Sequence, residues 1–269
     1  MYGSFAAVYD EFMDNVPYGP WSRKIIELLK KYGIEDGLVL DLCCGTGNMT
    51  ERLAQAGYDM IGVDSSVEML QIAEEKKLKT GHDILYLNQD MRTFELYGTV
   101  RAIVCVCDSL NYLLSENDLQ KVFRLAYNYL DPDGIFIFDM NTLHKYRSEL
   151  GCRTIAEKRD DCSFIWDNWW DEEQKINEYD LTLFVQTQGS LCRRFDEIHY
   201  QKGYEINTVT RRLKEAGFSL LGVKDTDTWG SLTDETGRVT AAARKRECRE
   251  ASESWIIHET EPSVRTVVS

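Results

Sequence analysis

Asp41, Gly45, Gly47 and Asp64 are the residues whose types and spacing point most directly to a bound ligand. Val39-Leu40-Asp41-Leu42 is an apolar stretch of strand character that runs into Cys43-Cys44-Gly45-Thr46-Gly47 and then into helix-forming sequence. Glycines let backbone approach a ligand where a side chain would obstruct it, and the unpaired N–H groups of a helix beginning near Thr46 point at the same spot. A nucleotide-like ligand is expected there. Asp41 within the motif, and Thr50 where a third glycine would stand, separate the pattern from a dinucleotide fingerprint, because a carboxylate in the turn repels a pyrophosphate. The next apolar stretch, Met60–Val63, ends at Asp64, 23 residues after Asp41, the distance a helix and a return strand require. One carboxylate can accept from both hydroxyls of a ribose, and that is the role expected of Asp64. Ser65-Ser66-Val67-Glu68 reads as a capping box with Ser65 as the N-cap of a helix to about Lys79, which leaves Asp64 for the ligand.

The elements that must position these residues follow in order. Ile84–Leu87 reads as a third strand, followed by Asn88-Gln89-Asp90-Met91. Ala102–Cys107 is an unbroken apolar run, as expected of a central parallel strand covered on both faces, and it ends in Asp108-Ser109-Leu110-Asn111-Tyr112. Polar groups at such a strand end lie where open α/β sheets hold ligands. A helix over Glu116–Leu130 is capped by Ser115 and stopped by Pro132 and Gly134, and Ile135–Asp139 is a fifth strand. Ahead of the glycine turn, an aromatic leader from Phe5 leads to a helix over Trp21–Tyr32, with Pro20 expected at its first position. Beyond the fifth strand, Cys162–Trp170, Lys175–Gln188 and Ser190–Gln201 read as antiparallel strands, and a helix over Asn207–Ala216 follows them. The expected architecture is α/β: a Rossmann-like, doubly wound, mostly parallel sheet from residues 1–144 and 205–269, with residues 145–204 as a small antiparallel β insertion over the mouth of the site.

The spacing D-x-x-x-G-x-G over Asp41–Gly47 resembles motif I of the class I S-adenosylmethionine-dependent methyltransferases. The segments "LDPDGIFIFDMNT", "FAAVYDEFM…VPYGPW", "CDSLNYL" and "EIHYQKGY" are similar to the YqeM-type bacterial members of that family over most of residues 2–223. The resemblance implies S-adenosyl-L-methionine as cofactor, with Asp41 holding its methionyl amino group and Asp90 and Met91 receiving the adenine. The cofactor-binding set it implies is completed by Tyr9, Tyr18, Trp21, Gly45, Thr46, Gly47, Asp64, Ser65, Met69, Cys107 and Asp108. It also implies that the leader folds over the cofactor as a mobile lid and that the insertion shapes substrate choice. Asn111, Tyr112, Trp166 and Trp169 are the substrate candidates, although strand alternation puts Trp169 and Trp170 on opposite faces. Two departures stand out: Lys202 occupies a position where arginine is expected, and Gly237–Glu250 is longer and more basic than the usual link between the last two strands. The Asn/Asp-Pro-Pro-aromatic sequence of base-amino methyltransferases is absent.

With 45 acidic against 31 basic residues in 269, the net charge of −14 repels phosphate backbones at long range and disfavours nucleic acid as a partner. Arg211-Arg212 with Lys214, and Arg244-Lys245-Arg246 with Arg249, could form local basic patches, but such runs are more often solvated helix faces. Eight cysteines without zinc-finger spacing fit reduced cytosolic thiols, and no signal segment or apolar span is visible, so a cytoplasmic protein is expected, with no membrane partner. In a methyl transfer the protein must chiefly align the acceptor with the S–CH₃ bond. His199 and His144 are the candidate bases if the acceptor arrives protonated. The favoured reaction is transfer to nitrogen or oxygen of a small molecule. RNA or protein methylation, NAD-dependent oxidoreduction and cofactor binding without catalysis are the alternatives. No metal is expected.

Overall fold

The computed structural model describes residues 6–187, 189 and 191–246. Phe5, Gln188, Ser190, Arg249 and Glu250, which enter the expectations above, lie outside the described residues. The leader forms α1 (Ala6–Phe12), and α2 (Tyr18–Lys31) precedes the first strand. Pro20 is thus the third residue of α2 rather than its first, but it is still in the opening turn, where no N–H has an intrahelical partner. Next come β1 (Leu38–Leu42), α3 (Asn48–Gln55), β2 (Asp59–Asp64), α4 (Val67–Thr80), β3 (Ile84–Asn88), β4 (Val100–Cys105), α5 (Glu116–Tyr129) and β5 (Leu130–Asn141). The insertion carries β6 (Thr154–Lys158), β7 (Cys162–Asp171), β8 (Ile176–Gln186) and β9 (Cys192–Lys202), and the chain closes with α6 (Ile206–Glu215), β10 (Phe218–Asp225) and β11 (Arg238–Lys245).

Seven strands make one sheet in the order β10-β11-β5-β4-β1-β2-β3, parallel except for β11, which runs antiparallel to both neighbours. The order reverses between β1 and β4, and the glycine turn and the Cys107-Asp108 segment meet at that point. Continuous apolar strands are needed because both faces are covered. Leu40, Leu42, Phe136 and Phe138 pack with Val122 and Phe123 of α5 on one side. Val39, Ile135 and Ile137 pack with Ile25 and Leu29 of α2 on the other. Each such side chain contributes about 1.5–3 kcal/mol of burial.

Four expectations need correction. The N-cap of α4 is Ser66, not Ser65: its hydroxyl accepts from Met69 N at 3.2 Å. The segment after Gly237 is not a long link but the seventh strand itself, inserted between β10 and β5. Arg244 and Lys245 are therefore strand residues, not part of a helix face. The insertion holds four antiparallel strands in the order β6-β7-β8-β9, one more than its sequence suggested, entered through a π-helical turn at Lys145–Leu150.

Candidate active site

The carboxyl ends of β1, β2 and β4 open into a cleft of about 880 Å³ that continues beneath the leader and the inserted sheet. The glycine turn forms its floor. Gly45 has φ +54° and an added Cβ would meet nothing within 4 Å, so this glycine leaves space on the cleft side. Gly47 serves a different purpose: at φ +78° it is the N-cap of α3, and a Cβ there would come within 2.5 Å of the Tyr86 hydroxyl. Gly47 is thus a packing residue below the floor, while Gly45 and Thr46 line the cleft.

Asp41 reaches the cleft from β1 but is only 1% exposed, and its Oδ2 accepts from the Thr50 hydroxyl at 2.6 Å. Burial pushes its carboxyl up to about 7, with the neighbouring charge of Asp64 acting in the same direction. Thr50 therefore occupies the third-glycine position because its hydroxyl is needed by the acid. Asp64, at the end of β2, accepts from Gly45 N and Ser66 N, both at 2.9 Å, one on each oxygen. Burial raises its carboxyl as well. Ser65, Met69, Asp90 and Met91 continue this wall, and Asp90 carries the guanidinium of Arg92 across both its oxygens.

Beyond the end of β4 the backbone is strained. Cys107 and Asp108 both line the cleft, and they are consecutive non-glycine residues at φ +60° and +50°. Asp139, fully buried on β5, holds them there, accepting from Cys107 N at 3.1 Å and Asp108 N at 2.6 Å. Arg238 at the start of β11 pairs with Asp108 and, at 3.2 Å, with Asp139, and its guanidinium lies 5.2 Å from the centre of the Trp21 ring. Burial opposes the charge on Arg238, but the two carboxylates outweigh it and hold the guanidinium protonated. The second oxygen of Asp108 accepts from Gln201 Nε2 at 2.6 Å, and Gln201 Oε1 accepts in turn from the hydroxyls of Tyr146 and Tyr179. Arg238, Gln201 and Asp139 were not singled out in the sequence. An arginine opening the small-residue strand Val239–Ala243 beside Gly237 was the available signal for the first of them.

The leader closes one side. Tyr9 and Tyr18 face the cleft, and burial raises both hydroxyls above their ordinary range. Asp10 ties α1 to the floor: its carboxylate accepts from Thr46 Oγ1 at 2.7 Å and Asn48 Nδ2 at 2.8 Å and pairs with Lys76 at 2.6 Å. Val8 and Phe12 on the same helix pack against Phe164, Leu181 and Leu183 of the inserted sheet. Trp21 does not reach the cleft; it packs in the core beneath Arg238.

Of the substrate candidates, Tyr112 and Trp166 line the cleft. Asn111 does not: it is fully buried, donating to the carbonyls of Asn141 and Lys202 and accepting from Asn141 N, and so clamps β5 to the end of β9. Trp169 is 73% exposed on the outer face of the insertion, and Trp170 stacks on Tyr146. His199 forms part of the wall, but both its ring nitrogens are covered; Nε2 is 3.2 Å from Glu197 Oε2, and the ring meets Tyr112 edge to face. His144 stands at the entry of the π-helical turn, away from the cleft lining. Neither histidine is therefore presented to the cleft as a base. The helix-borne arginines are also engaged, Arg211 and Arg212 with Glu116 and Glu215.

Comparison with known proteins identifies the family and the fold. The family described as "Methyltransferase domain" matches residues 39–134, from β1 into β5. The chain is 37% identical to YqeM of Bacillus subtilis over 221 residues, 82% of this chain and 87% of that protein. A crystal structure of an S-adenosylmethionine-dependent methyltransferase from Clostridium acetobutylicum superposes with a TM-score of 0.82 at 31% identity, covering 91% of this chain and 99% of that one. A glycine/sarcosine N-methyltransferase of Halorhodospira halochloris is 36% identical over 116 residues, 42% of each chain. The chain belongs to the class I S-adenosylmethionine-dependent methyltransferases, in the YqeM-type group.

Proposed function

We propose that this methyltransferase acts on a nitrogen or oxygen nucleophile of a small molecule, enclosed between the leader, the inserted sheet and the end of β4. The carrying observation is the single continuous cleft, which starts at the glycine turn and ends against the aromatic wall of the insertion. Its volume lies in the range of small-molecule sites. The cofactor fits the donor set. Each oxygen of Asp64 has given one lone pair to a backbone N–H and keeps another for a ribose hydroxyl. Gly45 leaves the open space a nucleoside needs. In this reading Asp41 holds the methionyl amino group, Met91 lies at the adenine edge, and Asp90 uses what Arg92 leaves free. Tyr9 and Tyr18 cover the reacting end and exclude water. When bound, S-adenosylmethionine supplies an electrophilic methyl group, and the protein's share is alignment.

The glycine/sarcosine relative supports a small acceptor, and the paired state of Arg211 and Arg212 supports it against a polyanion or a docked protein. Seven described cysteines are free thiols, in keeping with a cytoplasmic site of action. No helix among the described residues is long and apolar enough to cross a membrane. The test is transfer of labelled methyl into separate pools of small metabolites, RNA and protein. Label confined to metabolites is expected. Label confined to RNA or protein overturns the reading, and cofactor binding with no transfer to any pool turns it into a sensor.

A further inference from the structure

We infer that the acceptor is an amine, not an alcohol, and that it carries no phosphate or carboxylate group. The inference rests on the small-molecule reading above and narrows it to a chemical class.

The first observation concerns proton acceptors. An alcohol must lose its proton as it attacks, and an enzyme that methylates one needs a base in reach of it. Among the described residues of the acceptor half, every basic group is engaged. Asp108 gives one oxygen to Arg238 and the other to Gln201. Asp139 is held by two backbone N–H groups and Arg238. Glu157 is paired through Oε1 with Arg159, and Asp118 accepts from Lys121 on one oxygen and from the Ser115 hydroxyl on the other. His199 has both ring nitrogens covered, with Glu197 behind Nε2. Burial keeps the hydroxyls of Tyr9, Tyr18 and Tyr179 protonated. A neutral amine brings its own lone pair and needs none of them.

The second observation concerns charge. Carboxylates outnumber cations around the cleft, and each cation there already has its carboxylate: Arg92 has Asp90, Lys145 has Glu149, and Arg238 has Asp108 and Asp139. A phosphate or carboxylate on the acceptor would have to break one of these pairs. Trp166, Tyr112, Tyr179 and Tyr200 on the same wall instead supply aromatic side chains, a ring type whose face attracts an ammonium group. The protein's net charge of −14 draws cations toward it as well.

The step balances without a further reactant. The ammonium form gives a proton to water, the nitrogen lone pair forms the N–CH₃ bond as the S–CH₃ bond breaks, and sulfur keeps that electron pair. The methylated nitrogen, now cationic, sheds a proton to water or leaves as an ammonium ion.

The test uses the full-length protein with labelled S-adenosylmethionine and the low-molecular-mass fraction of a bacterial extract, in two portions. One portion is untreated and the other has its amines acetylated beforehand. Label is expected in products that a cation exchanger retains at neutral pH, and acetylation should abolish it. Label surviving acetylation, or retained on an anion exchanger, overturns the inference and leaves the small-molecule reading standing. Label in neither portion, with transfer only to RNA or protein, removes the small-molecule reading itself. Lys145→Ala gives a second check: undiminished labelling is expected, whereas loss of labelling at unchanged S-adenosylhomocysteine affinity means that Lys145 releases Glu149 to hold an acceptor anion.

Discussion

Cofactor affinity should depend on pH through one residue, Asp41. Its carboxyl is 1% exposed, and loss of hydration raises it from an unperturbed 3.8 to about 7, the Thr50 hydroxyl opposing the change and Asp64 adding to it. Near neutral pH the free protein therefore holds Asp41 partly protonated. A cationic amino group placed about 4 Å away would favour the ionised form by roughly 4 kcal/mol at an effective dielectric near 20, enough to keep it ionised in the complex. Binding below about pH 7 must then expel a proton. Affinity for S-adenosylhomocysteine should fall toward about tenfold per pH unit below that point and level off above it, giving roughly a tenfold loss between about pH 8 and about pH 6. Isothermal titration across this range, in two buffers of different ionisation enthalpy, reads both the affinity and the proton released. Asp41→Asn keeps an acceptor for Thr50 and should flatten the profile. Stability of the free protein should move the opposite way. The unfolded carboxyl ionises near 3.8 and the folded one near 7, so between these values the folded state binds more protons and stability declines as pH rises. Equal affinities at both ends of the range, or the same slope in Asp41→Asn, would refute the assignment.

Three further outcomes are expected. Asp64→Ala should weaken S-adenosylhomocysteine binding by about 1–3 kcal/mol, since it removes both the ribose acceptor and the bonds that shape the turn; calorimetry showing wild-type affinity contradicts the role given to this residue. Asp10→Ala should speed hydrogen exchange over residues 6–16 in the free protein, and S-adenosylhomocysteine should slow exchange there in the wild type; equal protection with and without ligand makes α1 a fixed part of the core instead of a lid. Trp166→Ala should raise the acceptor KM at unchanged cofactor affinity while Trp169→Ala changes neither, and kinetics in which both variants behave alike would misplace the aromatic wall.

The half of the candidate site proposed for the cofactor was readable as a cluster in the sequence because it is local. Asp41, Gly45 and Asp64 lie on adjacent parallel strands and their turns, where the spacing of one β–α–β unit constrains their positions. The acceptor half was less so. Period-two alternation separates Trp169 from Trp170 but does not say which face of the insertion meets the core, and Trp169 faces solvent. His199 reaches the cleft wall with Glu197 beside it, as period-two alternation allows, but the Tyr112 ring that meets it comes from the segment after β4, which one sequence cannot place there. Arg238 and Gln201 meet Asp108 from 130 and 93 residues away, with no motif to announce them. Ser65 and Ser66 are both competent caps, and a one-residue difference in where β2 releases the chain decides between them.

The position of Arg238 also bears on how the molecule comes into being. The left-handed pair Cys107 and Asp108 is offset by a guanidinium on β11, which hydrogen-bonds between β5 and β10. A chain emerging from the ribosome makes the glycine turn, β4 and the whole insertion before that arginine exists. The nascent chain can thus shape a nucleoside cradle early, while the reacting end of the cleft waits for the last strand to slot into a gap in the sheet, a closure of high contact order. The two ends of the cleft are thus completed at different points of synthesis, and the left-handed pair gains its guanidinium only once residue 238 has joined the sheet.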